Sequence, residues 1–389
     1  MRCNVGLWAL LIVILSPATA RLAPPGELAG KIRTIRAVES DGRGNQEAGL
    51  AWRELVQAPV QSLPEILAAI DEANPLAANY LRSAVETIAQ RETKKGGQLP
   101  AAEFEKFVRD VRHDPRARRL AYELLTGVDA SASDRIIPEM LNDPSVEFRR
   151  DAVARLMEQA PRKLAAGDQK EARLLLIEAL SGARDEDQVQ ALKTQLEALG
   201  EKVDLPRHFG FLSNWQLVAP FDNTEKKGLT EVYPPEKDLN LAAEYEGKEG
   251  QKIHWIEHTT SHEYGVVDLA KALGPFKGSV AYAVAEFQSD ERRAVEFRLG
   301  TPNSWKVWLN GELLFAREEY HRGMNLDQYK MRGTLHAGKN QILIKVCQNE
   351  QTEEWAQRWQ FQFRVCDPTG TAILSTDRVR RPAAAEGGR

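Results

Sequence analysis

Periodicity changes once along this chain, near Pro206-Arg207-His208, and that change constrains the fold more than any single motif. Before it, from residue 22 to about 203, apolar residues recur at i, i+3, i+4 and i+7, the spacing of one helix face. Leu81, Ala84, Val85 and Ile88 form one stripe, and Phe104, Phe107, Val108 and Val111 form the next. Val153, Leu156 and Met157, then Leu175, Leu176, Ala179 and Leu180, then Val189, Leu192, Leu196 and Leu199 mark three more. After the change, short alternating runs are separated by Gly, Asn and Pro, the pattern of strands and tight turns. The expected fold class is therefore a multidomain α plus β chain, all-helical first and an antiparallel β-sandwich second.

The helix starts are marked locally. Asn74-Pro75, Asp114-Pro115 and Asp143-Pro144 each put a capping side chain before a proline, whose missing N–H is no loss in a first helical turn. Ser62-Leu63-Pro64-Glu65 has capping-box spacing. With Asp185 as a fourth start, the intervals are 40, 29 and 41 residues. That is the length of a helix pair, which stacks as an α-solenoid or, with such unequal spacing, as a compact helical domain.

In the second half the candidate strands are Trp215–Ala219, Lys252–Glu257, Ser279–Phe287, Ala294–Gly300, Lys306–Leu309, Glu312–Phe315, Asp327–Leu335, Gln341–Cys347 and Trp359–Cys366. The clearest hairpin is Trp305–Phe315, broken at Asn310-Gly311, since a type I′ turn needs positive φ at both central residues. Val307 and Leu309 face one way, and Lys306 and Trp308 the other.

The first 20 residues have the form of a secretory signal peptide. Arg2 supplies the positive charge, Val5–Leu15 an apolar run too short to span a bilayer, and Ala18-Thr19-Ala20 a small-residue site with cleavage expected after Ala20. Cys3 precedes that site, which does not fit a lipid anchor. No later run approaches the roughly 18 apolar residues of a membrane span, so a secreted or periplasmic protein is expected. The expected divisions are residues 1–20 as signal peptide, 21–203 helical, 204–370 β-sandwich and 371–389 a loose polar tail. Without the leader, 51 basic residues face 56 acidic ones, which is no footprint for nucleic acid.

Cys347 and Cys366 each end a strand. These strands read as consecutive and antiparallel, so the thiols lie at opposite ends of the pair, roughly 20 Å apart. A disulfide needs Cα atoms within about 7 Å, so two free thiols are expected.

Two resemblances follow from particular residues. Leu141-Asn142-Asp143-Pro144-Ser145-Val146-Glu147-Phe148-Arg149-Arg150-Asp151-Ala152-Val153-Ala154-Arg155-Leu156 resembles a HEAT repeat: Asp-Pro at the turn, then Arg, then Ala-Val-x-x-Leu on the second helix. From Trp215 to Val365 the chain resembles the galactose-binding-like jelly-roll modules of bacterial secreted proteins. The matching stations are Trp215-Gln216-Leu217-Val218-Ala219-Pro220-Phe221, with alanine where glycine is usual, Tyr264-Gly265-Val266-Val267-Asp268-Leu269, Trp308-Leu309-Asn310-Gly311, and Leu335-His336-Ala337-Gly338-Lys339-Asn340-Gln341-Ile342-Leu343-Ile344-Lys345-Val346. The resemblance implies a jelly roll. Such modules sit beside glycoside hydrolases and esterases; some bind sugars and many only pack, and fold alone does not fix function.

Chemistry-bearing motifs are few. His254, His258 and His262 recur every four residues, but Ile253, Trp255, Ile256, Thr259 and Thr260 favour strand. In a strand His254 and His258 are about 13 Å apart, too far to share one metal ion, and no metal site is expected. Gly42-Arg43-Gly44-Asn45 lacks the strand and third glycine of a dinucleotide loop and reads as a helix N-terminal loop with Asn45 as the cap. The sequence contains no Gly-x-Ser-x-Gly elbow, phosphate loop or haem attachment site, so no catalytic residue and no cofactor is expected. Arg112, Arg116, Arg118 and Arg119, with Arg149-Arg150 further on, read either as a solvated face or as a surface for an anionic partner.

The aromatic residues carry the ligand expectation. Trp359, Phe361, Phe363 and Val365 alternate with polar residues and belong to the core. Trp355 falls in the long Gln348–Arg358 loop, and Tyr320 falls beside His321 and Arg322. A ring next to hydrogen-bonding side chains suits stacking on a sugar face. The expected ligand-binding residues are Trp355 and Tyr320, with Arg322, Asp327 and Gln328 as polar partners; the alternative is that both rings plug the end of the sandwich. The leading expectation is a non-catalytic binding protein, with a helical half for a protein partner and a sandwich for a glycan. The alternatives are an enzyme or enzyme subunit acting on polysaccharide, and a structural envelope scaffold.

Overall fold

The computed structural model describes residues 25–380. The expected signal peptide and the end of the expected tail, residues 381–389, lie outside the described residues. Helices come first and antiparallel strands second, as the change of periodicity requires. The described residues divide into two compact units, one ending at Ala152 and the other beginning at Val153.

The first unit holds α1 (Pro25–Arg36), α2 (Asn45–Leu55), α3 (Leu63–Ala68), α4 (Pro75–Lys94), α5 (Ala101–Arg109), α6 (Pro115–Val128), α7 (Ala132–Ile136) and the start of α8 (Val146–Ala165). The helices pack as neighbours in sequence, α1 on α2, α3 on α4 and α5 on α6. The expected stripes form one core, in which Leu81, Val85, Ile88, Phe104 and Val108 are fully buried. Val111 lies past the end of α5 and is exposed.

Two of the expected caps form: Asn74 accepts from the Ala77 amide at 2.9 Å and Asp114 from the Arg116 amide at 2.8 Å. Two do not. Ser62 already has helical backbone angles, because the 3-10 turn Val60–Ser62 runs straight into α3, so its side chain cannot cap. Asp143 does not start a helix at Pro144; α8 begins two residues later. The Asp143 carboxylate instead accepts two bonds from the buried Arg118 guanidinium, at 2.9 and 2.7 Å, and one from the Ser145 amide at 2.8 Å. The basic cluster is therefore not one surface. Arg118 is inside, Arg112 and Arg116 pair with Asp110 and Asp114, and Arg119 pairs with Asp151 at 2.5 Å.

The second unit holds the rest of α8, α9 (Gln169–Gly182), α10 (Glu186–Ala198), α11 (Leu205–Phe209) and the strands. These are β1 (Asn214–Asp222), β2 (Glu244–Glu246), β3 (Lys252–His254), β4 (Ile256–Thr259), β5 (Val267–Asp268), β6 (Ser279–Ser289), β7 (Arg293–Gly300), β8 (Ser304–Leu309), β9 (Glu312–Arg317), β10 (Tyr329–Leu335), β11 (Gly338–Gln348) and β12 (Gln360–Cys366). A six-stranded sheet runs β4-β1-β6-β11-β8-β9, and a four-stranded sheet runs β10-β7-β12-β5. Their inner faces meet in one core, with Leu217, Ala283, Val307 and Ile344 from the first sheet and Phe297, Leu299, Phe361 and Phe363 from the second. Asn310 and Gly311 have φ of 52° and 84°, the turn that Asn-Gly predicts.

Two sequence expectations change here, on either side of a finding about the outer face. The run Lys252–Glu257 is two strands, β3 pairing with β2 and β4 with β1, parted at Trp255. The outer face of the large sheet is not solvated: Leu229, Tyr245, Ile253 and Trp255 cover it and bury Val218, Tyr282, Trp308 and Cys347 in a second apolar layer. β11 and β12 do not pair with each other but lie in opposite sheets, because both must turn an apolar face to the same core and the loop between them is long enough to cross. The thiols of Cys347 and Cys366 are free and buried, on the outward sides of different sheets rather than at two ends of a hairpin. Beyond β12, Ile373 enters the core, and the Ser375 hydroxyl accepts from the Gln288 amide at 2.8 Å.

Candidate functional site

Two loops project from one end of the sandwich: residues 318–328, after β9, and residues 349–359, after β11. The second carries the 3-10 turn Glu354–Ala356. Ala356 is buried, and its carbonyl accepts from Lys277 Nζ at 2.9 Å and Gln348 Nε2 at 3.0 Å, which pins the turn from below. Its neighbour Trp355 is thereby held outward, 61 % exposed, the most exposed of the large apolar side chains among the described residues. One edge of the indole meets the His321 imidazole, with centroids 4.9 Å apart and planes at 88°. His321 is fixed in turn by Nε2 against Oδ1 of the buried Asn349 at 2.8 Å. Pro302, Arg322, Gly323, Glu354 and Arg358 complete a pocket of 540 Å³ around the ring.

Arg322 also borders a neighbouring pocket of 420 Å³ with Trp305, Phe315 and Tyr329. Glu319 organises it: Tyr329 Oη donates to its carboxylate at 2.8 Å, Arg317 pairs with it at 2.8 Å, and Arg322 approaches to 3.5 Å. The Tyr329 hydrogen bond and Arg317 hold the Glu319 carboxyl below the usual range. Gln328 lines this pocket too; its Oε1 accepts from the Thr301 amide at 3.1 Å. Trp305 is fully buried, its ring centroid 4.9 Å from that of Tyr329.

The other two expected residues lie elsewhere. Tyr320 packs against the second apolar layer, its hydroxyl accepting from Asn223 Nδ2 at 3.1 Å and pushed by burial up to about 12. Asp327 sits between Arg364, at 2.6 Å to both carboxylate oxygens, and Arg298 at 2.6 Å, with Glu296 on the far side of Arg298 at 2.8 Å. Burial alone would raise the Asp327 carboxyl, but the two guanidinium groups outweigh it and hold it below the ordinary value. The structure thus brings Trp355, Arg322 and Gln328 to the two pockets. Tyr320 and Asp327 face inward.

A larger groove of 920 Å³ escaped the sequence reading. His258, Tyr264, Asp268, Lys271, Asn325 and Gln360 line it, and four separate segments of chain meet there, so no local pattern announces it. Asp268 caps the short helix Leu269–Leu273, accepting from the Lys271 amide at 3.0 Å, and the Tyr264 hydroxyl bonds to Gln190 on α10. Burial lowers the His258 imidazole against the opposing pull of Asp268. His254 and His258 lie on β3 and β4, and His262 follows in a loop; among the described residues no cluster of side chains is arranged to hold a metal ion.

No helix among the described residues is long and apolar enough to cross a membrane. No family model matches the chain, and no curated protein matches it. Several solved structures show partial similarity, among them three glycosidases. A β-glucosidase from Kluyveromyces marxianus in complex with glucose is 16 % identical over 42 % of this chain and 16 % of its own, with a TM-score of 0.22. A β-glucuronidase from Faecalibacterium prausnitzii is 18 % identical over 35 % and 20 %, TM-score 0.20. The GH31 α-xylosidase from Xanthomonas citri is 12 % identical over 29 % and 15 %, TM-score 0.17. The chain spans a fifth or less of the length of each of these three.

Proposed function

We propose that this is a non-catalytic, secreted binding protein whose jelly-roll-like sandwich takes a carbohydrate at the Trp355 pocket, and whose HEAT-like helix pairs serve a protein partner. The observation that carries the glycan reading is the exposed Trp355 indole, pinned through Ala356 and braced by His321. A sugar ring offers a C–H face that stacks on such a plane and a rim of hydroxyls. Arg322, Glu354 and Arg358 stand around the indole to meet that rim. The fixed ring favours binding because little conformational freedom is lost when the ligand arrives.

The test is a glycan array on the whole protein, followed by calorimetry with the best ligand. Trp355→Ala should weaken binding about tenfold or more. Its melting temperature should move by no more than about 2 °C, because an exposed side chain contributes little to stability. Failure to bind any glycan, or an unchanged affinity in the variant, overturns the proposal.

A further inference from the structure

The Trp355 pocket and the pocket beside it share Arg322, and what surrounds the pair narrows the class of ligand. The second pocket offers another exposed ring, Phe315, 47 % exposed on the edge strand β9 and 5.8 Å from Trp305. The Tyr329 hydroxyl in that pocket donates to Glu319 and accepts from Gln328. Four cations, Arg317, Arg322, Lys330 and Arg358, line the two pockets against two carboxylates, Glu319 and Glu354. Glu319 is already engaged by Arg317, Arg322 and Tyr329, while Lys330 and Arg358 have no ion pair among the described residues. This local excess of positive charge stands on a chain whose net charge is −4.

Building on the glycan reading above, we propose that the two pockets form one extended site for an acidic polysaccharide. One sugar stacks on Trp355 and the next lies against Phe315, with carboxylate or sulfate groups meeting Arg322, Lys330 and Arg358. Charge-assisted hydrogen bonds from guanidinium groups recognise such oxyanions.

Calorimetry on the whole protein distinguishes the outcomes with three probes: hexagalacturonate, its full methyl ester, and a heparin-derived hexasaccharide. At least one acidic probe should bind about tenfold or more tightly than the ester. That advantage should shrink at high salt, where charges more than about 3 Å apart are screened at 1 M. Phe315→Ala, Lys330→Gln and Arg358→Gln should each weaken the acidic probe by about threefold or more, with unchanged circular dichroism. Equal binding of ester and acid, or binding only of neutral glycans on the array, overturns this inference and leaves the glycan reading intact. Acid binding that ignores Phe315→Ala and Lys330→Gln confines the ligand to the Trp355 pocket and also overturns it. Absence of binding to every probe and every arrayed glycan removes both.

Discussion

At Arg118 a full positive charge sits where no water reaches it. Its guanidinium gives two hydrogen bonds to Asp143 and one, at 2.8 Å, to the Val108 carbonyl, and it lies 5.0 Å from the Phe148 ring. Desolvating a charge is tolerable only with such pairing, and removing one partner of a buried pair costs about 3–5 kcal/mol. Asp143→Asn should therefore destabilise the helical unit by about that much in urea unfolding. Asp114→Asn, at the partly exposed Arg116 pair, should lose less than about 1 kcal/mol of ion-pair energy. Comparable losses at the two sites would show that the Arg118 pair is not isolated from water. In sequence both aspartates read alike, each before a proline, and only burial separates a cap from a core counter-ion. The same holds for the expected ligand residues: Asp327 and Arg322 are equally charged on paper, yet one is clamped by two arginines inside and the other borders two pockets.

Elements were more legible than single residues. Helix faces at Leu81–Ile88 and Phe104–Val108, and the alternation of Val307 and Leu309 against Trp308, follow from fixed backbone periods of 3.6 and 2 residues. The Asn310-Gly311 turn is the sharpest case, since its conformation is nearly a property of the dipeptide. The turn is then locked by tertiary contacts: Asn310 donates to Asn340 at 2.9 Å and accepts from the Gln341 amide at 2.8 Å. A Cβ on Gly311 would meet nothing within 4 Å, so Gly311→Ala isolates the cost of left-handed backbone. It should destabilise the sandwich by about 1–2 kcal/mol in chemical denaturation, with its spectrum unchanged. A neutral result would mean that the turn relaxes. Less legible was the outer face of the large sheet. Lys345 occupies an outward position on β11, where alternation places it in water. It is instead fully buried, 2.7 Å from Glu236 and close to the rings of Tyr233 and Tyr282.

At the scale of the whole molecule, the join between α9–α11 and the sandwich within the second unit rests on polar contacts. Lys193 pairs with Glu263 at 3.1 Å and Arg364 donates to the Phe209 carbonyl at 2.9 Å, while on the helical side His208 Nε2 on α11 lies 3.0 Å from the Ala183 carbonyl at the end of α9. Burial, with the Arg184 guanidinium nearby, pushes the His208 imidazole down to about 4. An unfolded histidine titrates near 6.5. Between those values the unfolded chain binds a proton that the folded chain refuses, so stability falls as pH drops from about 6.5 toward 4 and this contribution is flat below. His258, lowered in the same direction by burial, adds to the slope. Asp327, held below its usual value, contributes stability above about pH 4 that disappears only at lower pH. His208→Gln should thus flatten, without abolishing, the loss of urea midpoint between about pH 6.5 and 4. An unchanged slope would mean that His208 is hydrated in the folded protein.

The sequence by itself determined where helices give way to strands, which faces of those elements are apolar, and that Asn310-Gly311 turns. These depend on backbone periods and on residues only a few positions apart. The tertiary structure decided which sheet each strand joins, that Arg118 and Lys345 are inside, and that Trp355, Arg322, Phe315 and Trp305 gather at one end of the sandwich. The β9–β10 and β11–β12 loops meet because two sheets close on one core, and contacts between residues so distant in sequence leave no period for a one-dimensional pattern to carry.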